Sequence, residues 1–518
     1  MKIYVTLVLS LLLCTVTKAQ KIKADWIEKV KSVASAYKDY QYDKSLPSGD
    51  GSFISVYKSF GKLDIKFLKF SEGLELQKEY VFVLNKVSFF GRASMSYSDF
   101  VKIDNKYFIV LEDYVKKEKT KVIYFQELDV KTLALTGDAK KVATFDVTED
   151  ADAPIRFDYS IDTTKLLVYY EPELNRKANK FMQLVTLNMN LEKIVESGYD
   201  FGKPFKQVLV SNISIDDDGS IYITTNTYEK DFDKNFIKTD GDKIPSYVTE
   251  LVIVDNKNKT TYKINNQGKF IHQLTLANNF NEAPVFTGLY KETHNGRITG
   301  AFKATLDKSK KEVAVNFSPF DESLLSLVEQ DGWGKAKGSK SGIDNEFFVR
   351  HVVSVSNGYI YMISEYHDYI FWGDLIVSTF SPNGKVTQTR IPKNQRLDGT
   401  PYGAFSWEKW KYYGYSFSTT YRDDKLLIFY NDKPSNLEKD SEKKSDVMSN
   451  LDKSSYVTAI ISQNGQLEKR EEIFSHKDMN KYITSMNLCR LNDSKIVVIG
   501  IKGGTFSDSI KMGILTIN

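Results

Sequence analysis

The sequence predicts an all-β protein built from one repeated supersecondary unit. A cassette of two apolar strands around a tight polar turn recurs along the chain. Its clearest copies span residues 100–111, 157–170, 210–223 and 352–363. Further strand-like runs are joined by Asn383-Gly384 and Asn464-Gly465, and Asn-Gly between two such runs is the strongest local signal of a hairpin. Helical periodicity is almost absent after Phe53, which favours strands throughout.

Each cassette is followed by a second hairpin, so the repeat is expected to be a four-stranded antiparallel sheet. The second strand of a cassette is apolar on both faces, as in 426–430 and 496–499, which is typical of strands covered by neighbouring sheets. The chain therefore resembles a β-propeller over about nine-tenths of its length, with about seven blades spaced roughly 55 to 80 residues apart. Eight or six blades are possible, and tandem β-sandwiches are the alternative fold.

The two ends of the chain add a prediction about closure. The last repeat stops after three strands, at 512–518. An N-terminal strand that completed this blade would close the ring and remove two exposed sheet edges. Neither a Trp-Asp blade ending nor a kelch double glycine recurs, so no particular propeller family is indicated.

Residues 1–19 are predicted to be a secretory signal peptide, because a basic start and a short apolar run precede small residues before Gln20. Cys14 leaves lipid attachment open as an alternative. After cleavage only Cys489 remains, so no internal disulfide can form. Few cysteines in an exported chain favour a bacterial envelope. The protein is expected to be periplasmic, on the cell surface or extracellular, with no transmembrane segment after cleavage.

Two further segments follow the signal peptide. Residues 20–48 are predicted to hold an amphipathic helix and a linker, since Ile27, Val30, Ala34 and Tyr37 have helical spacing. Residues 49–518 are assigned to the propeller domain.

The charge pattern and the histidines exclude several classes of function. The formal net charge is +4, with Lys/Arg and Asp/Glu interspersed, so the basic stripe of a nucleic-acid binder is missing. The five histidines are scattered, and no pair has metal-ligand spacing. No metal and no cofactor is therefore expected, and no Gly-x-Ser-x-Gly hydrolase motif occurs.

The long connections are expected on one face of the ring, where binding sites usually lie. Two of them, at 365–374 and 405–415, are rich in aromatic residues that could contact a ligand. These residues are Trp372, Trp407, Trp410, Tyr412 and Tyr413. Their expected polar partners are His367, Asp368 and Glu408. The alternative is that the rings pack the seams between blades.

These observations predict an exported, non-catalytic binding or scaffold module in the bacterial envelope, with a protein, peptide or glycan as ligand. One alternative is a carbohydrate-active enzyme, a glycoside hydrolase or lyase, with its acid and base among Asp368, Asp374, Glu408 and their neighbours. A second alternative is a structural component of the envelope with no small ligand. No catalytic residue is assigned.

Overall fold

The computed structural model describes residues 22–27, 40–59, 64–84, 95–147, 154–172, 178–232, 245–278, 284–338, 340–368, 370–396, 414–439, 442–502 and 509–517. The predicted signal peptide, residues 1–19, lies outside these ranges.

Apart from two short strands between units 5 and 6, the described strands form eight units of four or five strands, which we number along the chain. The first strand, β1 (Ile22–Ile27), belongs to the last unit. Unit 1 contains β2 (Tyr40–Pro47), β3 (Phe53–Ser59), β4 (Asp64–Phe70) and β5 (Leu76–Val83). Unit 2 contains β6 (Met95–Ile103), β7 (Lys106–Val115), β8 (Thr120–Leu128) and β9 (Leu135–Asp146). Unit 3 contains β10 (Arg156–Tyr159), β11 (Lys165–Tyr170), β12 (Asn179–Asn188) and β13 (Lys193–Pro204), followed by a 3₁₀ turn, Phe205–Gln207.

Units 4 and 5 are separated by no helix. Unit 4 contains β14 (Val208–Ile215), β15 (Ile221–Tyr228), β16 (Tyr247–Val254) and β17 (Lys259–Asn265). Unit 5 contains β18 (Phe270–Asn278), β19 (Val285–Lys291), β20 (Ile298–Asp307) and β21 (Glu312–Pro319). Helix α1 (Glu322–Asp331) and the short strands β22 (Gly334–Lys335) and β23 (Gly342–Ile343) then lead to unit 6.

The remaining three units complete the ring. Unit 6 contains β24 (Phe347–Ser354), β25 (Ile360–Asp368), β26 (Phe371–Phe380), β27 (Val386–Ile391) and the short β28 (Gln395–Arg396). Unit 7 contains β29 (Ser418–Arg422), β30 (Lys425–Asp432), β31 (Ser455–Ser462) and β32 (Leu467–Phe474), with α2 (Pro434–Leu437) and a 3₁₀ turn, Leu451–Lys453, between β30 and β31. After α3 (His476–Met479), unit 8 contains β33 (Ile483–Thr484), β34 (Cys489–Arg490), β35 (Lys495–Lys502), β36 (Ser509–Ile517) and β1.

The strands within each unit pair in antiparallel fashion, and consecutive long strands are neighbours, as in propeller blades. The short β28 pairs with β26, and the short β33 and β34 both pair with β35. The predicted count of seven blades is not confirmed. Six units are separate sheets of four or five strands, whereas units 4 and 5 belong to one ten-stranded sheet. The two are joined by a parallel pairing of β17 with β21. The sequence also predicts only half a blade where unit 1 lies, because β2, the innermost strand of that unit, precedes the first cassette that can be recognised.

Hydrophobic clusters lie between every pair of successive units, and their members come from both facing sheets. Between units 1 and 2, for example, Ile54 and Phe67 share a cluster with Phe100 and Ile109. Large apolar side chains facing both neighbours are what hold wedge-shaped sheets together, because burial of apolar area is the dominant favourable term. This arrangement rules out tandem β-sandwiches, in which each sheet would have one packed partner.

Units 8 and 1 also share such a cluster, which contains Phe53 and Phe70 together with Val497 and Met512. Strand β1 pairs with β36 in antiparallel register, from Ile22 opposite Ile517 to Ile27 opposite Met512. The N-terminal strand therefore completes the last blade and closes the ring, as the chain ends predict.

The predicted N-terminal helix is not confirmed. Residues 22–27 form β1, and residues 28–39 lie outside the described part of the chain. The edge of β36 offers backbone partners that a local periodicity argument does not include, so pairing outweighs helical spacing at Ile22–Ile27.

Candidate functional site

A cavity of about 320 Å³ lies where units 4, 5 and 6 meet. Its lining comes from the starts of the innermost strands β14, β18 and β24, from the ends of the adjacent β15, β19 and β25, from the start of β16 and from the turn before β24. These strand ends belong to the face on which the long connections of the chain leave the sheets. A recess formed by several blades at this face is a usual place for a ligand.

One side of the cavity is aromatic. Tyr228 and Tyr247 line it, with ring centroids 5.1 Å apart. Tyr228 is backed by Phe232 at 4.5 Å. Phe348 faces the cavity from unit 6. Rings held by other rings form a stiff apolar wall, and such a wall loses little conformational entropy when a ligand binds.

Asn345 is the most unusual polar residue of the cavity wall. It lies in the turn before β24, which is held by hydrogen bonds from the Asp344 N–H to Trp333 O (2.9 Å) and from the Phe347 N–H to Asp344 O (3.2 Å). The residue is 3% exposed. Neither Oδ1 nor Nδ2 of Asn345 has a hydrogen-bond partner within the described part of the chain. Since each unsatisfied buried polar group costs about 1–3 kcal/mol, a native structure retains one mainly where something else satisfies it.

His272 provides a second unpartnered atom. It lies at a register shift between Ile271 and Gln273 in the pairing of β18 with β19, and a β-bulge of this kind redirects a side chain. Its ring is 5.9 Å from Phe348, and its Nε2 is buried without a partner among the described residues. Burial, together with the positive charge of Lys291, lowers the pKa of His272 to about 3, although a hydrogen bond to the Phe347 backbone opposes this shift. The imidazole is therefore neutral at pH 7.

Comparable register shifts occur in the innermost strands of four other units. The residues at these shifts are Asp43, Ser98, Ser211 and Arg350. Their side chains are all paired within the protein: Asp43 with the Tyr97 hydroxyl, Ser98 with Glu112, Ser211 with Thr224 O and Arg350 with Glu365. Only His272 of these five keeps a buried, unpartnered atom in the described structure, and it is the one beside Asn345.

Charged groups also line the cavity. Lys291 is buried at the end of β19, with Nζ 5.9 Å from the centre of the Tyr247 ring. Glu346 adds a carboxylate next to Asn345. His367, at the end of β25, contributes a second imidazole, and its backbone N–H donates to Glu346 O at 3.0 Å. Burial and the nearby Arg350 lower the pKa of His367 to about 4, so this ring is neutral at pH 7 as well.

The residues predicted as ligand contacts are placed differently by the structure. His367 lines the cavity, and Asp368 ends β25 opposite Phe371 in the pairing with β26. Trp372 is 7% exposed and stacks on Tyr415 with ring centroids 4.3 Å apart. In the described structure Trp372 therefore packs against another ring, which is the alternative role that the sequence analysis leaves open. The other five residues lie outside the described ranges, namely Trp407, Glu408, Trp410, Tyr412 and Tyr413.

Asp374, considered as a catalytic carboxylate, belongs to a buried ion cluster instead. The Arg390 Nε donates to Asp374 Oδ2 at 2.6 Å, and Arg390 also pairs with Asp331 at the end of α1. Burial raises the pKa of Asp374 despite the arginine. The cluster holds α1 against unit 6, and breaking one partner of such a pair costs about 3–5 kcal/mol. This geometry assigns Asp374 to structure.

Sequence reasoning missed both Asn345 and His272. His272 appears in the sequence only as one of five scattered histidines, and Asn345 ends a long connection with no motif. The sequence did contain one signal for His272, which is a break in the alternation of apolar and polar residues along β18. A β-bulge produces such a break, because it reverses which residues face the core beyond it.

Within the described ranges, no group of three or more His, Cys, Asp or Glu residues could hold a metal ion. In the same part of the chain, no helix has the length and apolar character needed to cross a membrane.

No family model matches this chain, and no curated protein matches it. Among solved structures, a prolyl oligopeptidase B from Galerina marginata is 11% identical with a TM-score of 0.41, covering 92% of this chain and 56% of that one. The β-propeller domain of the Trilobed protease from Pyrococcus furiosus is 10% identical with a TM-score of 0.36, covering 85% and 97%. An acylaminoacyl peptidase from Pyrococcus horikoshii is 10% identical with a TM-score of 0.34, covering 90% and 58%.

The non-catalytic binding or scaffold role predicted from the sequence has to be corrected, because these three similar structures are peptidases or part of one. That role is withdrawn. The chain spans little more than half the length of the prolyl oligopeptidase. At these identities and TM-scores no substrate and no residue role of the peptidases is carried over, and the propeller assignment depends on the sheets described above.

Proposed function

We propose that the cavity between units 4, 5 and 6 is the functional site and that it holds a small organic molecule on which the protein acts. The observation that supports this most directly is the cavity itself, in which the Tyr228 and Tyr247 rings form an aromatic wall opposite polar residues that include Asn345, His272 and Lys291.

The size and the lining of the cavity agree with this proposal. A volume of about 320 Å³ lies at the lower end of small-molecule sites, which are largely apolar with a few placed polar groups. Here the tyrosines and Phe348 provide the apolar part, and Asn345, His272 and Lys291 provide the polar part. The proposed ligand is thus a small molecule in a recess between blades, and the aromatic loops singled out in the sequence are not required.

The test is a ligand-observed NMR screen of a fragment library on the protein, followed by Asn345→Leu. We expect fragments that bind the parent to lose at least tenfold in affinity for the variant. The free energy of unfolding should stay unchanged or rise, because an unpaired buried amide is replaced by an apolar side chain of similar shape. Unchanged affinities, or the absence of any fragment that bound near Phe348, would contradict the proposal.

Asn436 is the matched control, because it is a buried asparagine whose amide is fully used. Its Nδ2 donates to Asp432 Oδ1 (2.8 Å) and Asp446 O (3.0 Å), and its Oδ1 accepts from the Asp446 N–H (2.7 Å). Asn436→Leu should lower the free energy of unfolding by about 2–4 kcal/mol, since it leaves buried partners unpaired. Fragment affinities should not change.

We also propose, from the N-terminal sequence alone, that the protein is exported and that its leader is removed before Gln20. Mass spectrometry of the protein purified from an expressing bacterium should find an N-terminus at Gln20. An intact Met1 in a cytoplasmic fraction would disprove this.

A further inference from the structure

We propose that helix α1, with the hairpin of β22 and β23 and the turn before β24, forms a proton-controlled gate in the wall of the cavity. The helix is held against unit 6 by a buried cluster of two carboxyl groups and one guanidinium, and loss of a proton from this cluster lets the helix open more often. This inference deepens the proposed function. The gate itself is independent of that function, whereas its effect on a ligand rests on it.

The cluster joins the end of α1 to two strands of unit 6. Asp331 is the last residue of α1, Asp374 lies on β26 and Arg390 lies on β27. The Arg390 Nε donates to Asp374 Oδ2 at 2.6 Å, and its Nη2 donates to Asp331 Oδ2 and, at 3.4 Å, to Asp374 Oδ1. Both carboxyl side chains are fully buried and the guanidinium is 2% exposed. Bulk water therefore does not screen these charges.

The charges of this cluster do not balance. Two ionised carboxylates beside one guanidinium leave one negative charge uncompensated in a buried site, which is costly. Asp331 Oδ1 also has no hydrogen-bond partner within the described residues. A proton on one carboxyl removes the excess charge. Burial accordingly raises the pKa of Asp374 to about 7, with the Asp331 charge acting in the same direction and Arg390 acting against it.

The other elements packed around Asp374 carry further charged or titratable groups. These are Lys393 after β27, Glu365 on β25, Tyr430 and Asp432 on β30, and Arg470 on β32. The Lys393 N–H donates to Asp374 Oδ1 at 3.0 Å, but its Nζ lies 2.7 Å from Glu365 Oε1, and Asp432 also draws on its charge. The Arg470 Nη2 donates to the backbone of the α2 segment, to Asn436 O at 2.9 Å. The cations of the neighbourhood thus have partners of their own.

Helix α1 and the cavity wall belong to one hydrogen-bonded segment. The Trp333 N–H donates to Val328 O of the helix at 3.0 Å, and the Asp344 N–H donates to Trp333 O at 2.9 Å. Between these two contacts β22 pairs with β23. Asn345 and Glu346, which follow directly, line the cavity. A displacement of α1 is therefore transmitted to the wall through backbone contacts.

The pH dependence of the gate has a definite sign. When α1 opens, Asp374 becomes hydrated and its pKa returns toward 3.8. Opening therefore releases a proton between about pH 4 and pH 7. The equilibrium constant for opening rises with pH across this window, because the closed form binds more protons there, and it stays level above about pH 7.

Hydrogen–deuterium exchange of residues 322–331 between pH 5 and pH 8 tests the gate, since exchange reports local opening. Each rate is divided by the intrinsic rate of the unfolded peptide at that pH. We expect the protection factor of α1 to fall at least tenfold from pH 5 to pH 7. In Asp374→Asn, which keeps the shape and cannot ionise, protection should not change with pH. Asp331→Asn should also reduce the change, because one guanidinium then balances one carboxylate.

Asp321→Asn is the matched control, because Asp321 precedes the same helix, is exposed and makes no capping hydrogen bond with its side chain. Its protection should fall with pH as in the parent. Strand β7 of unit 2 is the internal reference. A pH-independent parent, an Asp374→Asn variant that loses protection as the parent does, or an equal fall in β7 that showed global unfolding would each overturn the gate.

A last measurement connects the gate to the cavity. We would add the tightest cavity-binding fragment of the screen proposed above at ten times its dissociation constant. It should raise the protection of α1 about tenfold, since a ligand that binds only the closed form stabilises that form.

The outcomes separate the gate from the proposed function. A cavity-bound fragment that left α1 protection unchanged would disconnect the gate from the site, while the small-molecule site remained. If no fragment bound in the cavity, the proposed function and the ligand effect would both fail, whereas the gate would still be decided by its pH dependence.

Discussion

At the residue scale, the buried polar side chains of this protein fall into two groups. In one group the charges and amides are paired within the protein. Lys393, for example, is buried with its Nζ 2.7 Å from Glu365 Oε1, and Glu365 Oε2 accepts from the Ser416 hydroxyl at 2.6 Å. In the other group, atoms are buried without a partner among the described residues; Asn345 and His272 belong to it beside the cavity, and Asp432 belongs to it away from the cavity. Paired groups point to structure, and unpaired groups that line a cavity point to a ligand.

Asp432 allows a prediction about pH. Burial raises its pKa from 3.8 to about 6, and its Oδ2 has no hydrogen-bond partner within the described residues. The folded state thus keeps this proton to a higher pH than the unfolded state does. The free energy of unfolding must fall between about pH 4 and pH 6 on account of this group, because the folded form binds more protons there.

We expect Asp432→Asn to remove this dependence. Urea denaturation gives the free energy of unfolding of the variant and of the parent at each pH. The difference, variant minus parent, should increase by on the order of 2–3 kcal/mol from pH 4 to pH 6. Above pH 7 the difference should stay constant. Asp307→Asn is a control, since hydrogen bonds from Ser309 and Lys310 lower the pKa of Asp307 from 3.8 to about 2. Its difference from the parent should fall between about pH 2 and pH 4, which is the opposite sign, and stay nearly level from pH 4 to pH 6. A flat difference for Asp432→Asn would show that this carboxyl is solvated.

At the element scale, the repeated hairpins depend on glycine at the turn, but not every turn has the same surroundings. Gly384 has φ +85° and no atom within 4 Å of an added Cβ. Gly465 has φ +88°, and an added Cβ would lie 2.6 Å from Thr379 Oγ1 in the neighbouring unit. The second turn therefore also forms part of the contact between units 6 and 7, where Gly465 O accepts from the Thr389 hydroxyl at 2.6 Å.

Alanine at these two positions should separate backbone strain from packing. Gly384→Ala should cost about 1–2 kcal/mol, because only the left-handed conformation is penalised. Gly465→Ala should cost about 1–3 kcal/mol more, because it also overpacks the seam. Urea denaturation of both variants measures the difference. Equal losses would mean that the seam can move apart without cost.

At the scale of the whole molecule, closure of the ring is the feature that links the two ends of the chain. Strand β36 pairs with β35 on one side and with β1 on the other. Its side chains enter the clusters shared with units 7 and 1, through Leu515 and Met512. Loss of this strand would expose two sheet edges and two apolar faces together.

Removal of residues 514–518 should therefore lower the thermal midpoint of the entire protein and promote aggregation. Scanning calorimetry with light scattering would measure both effects, and removal of residue 518 alone is the control. A truncated protein that melted with the parent would show that the ring is stable without its closing strand.

The all-β class and the repeated hairpin could be predicted because each depends on local signals, whereas residues 22–27, which form the closing strand, lie in the segment for which the sequence predicts a helix and a linker. Alternating or continuous apolar residues mark the strands, and polar Asn-Gly turns mark the hairpins. The number of blades was not predictable in the same way. Units 4 and 5 merge through the pairing of β17 with β21, two strands whose composition does not distinguish them from other strands. In unit 1, the hairpin of β2 and β3 precedes the first cassette that the sequence shows clearly.

The sequence by itself determined that this chain forms strands and tight turns in a repeated hairpin, because strand and turn preferences depend on neighbouring residues. Only the tertiary structure decided where a ligand could bind. Asn345 and His272 lie far apart in the sequence, and a bulge in one blade together with a turn before the next brings them to one cavity. The same packing buries Trp372, which the sequence singled out. Contacts between blades decide whether a buried polar group is paired and whether an aromatic ring is covered. These contacts join residues that are far apart in the sequence, so a local sequence pattern does not predict them.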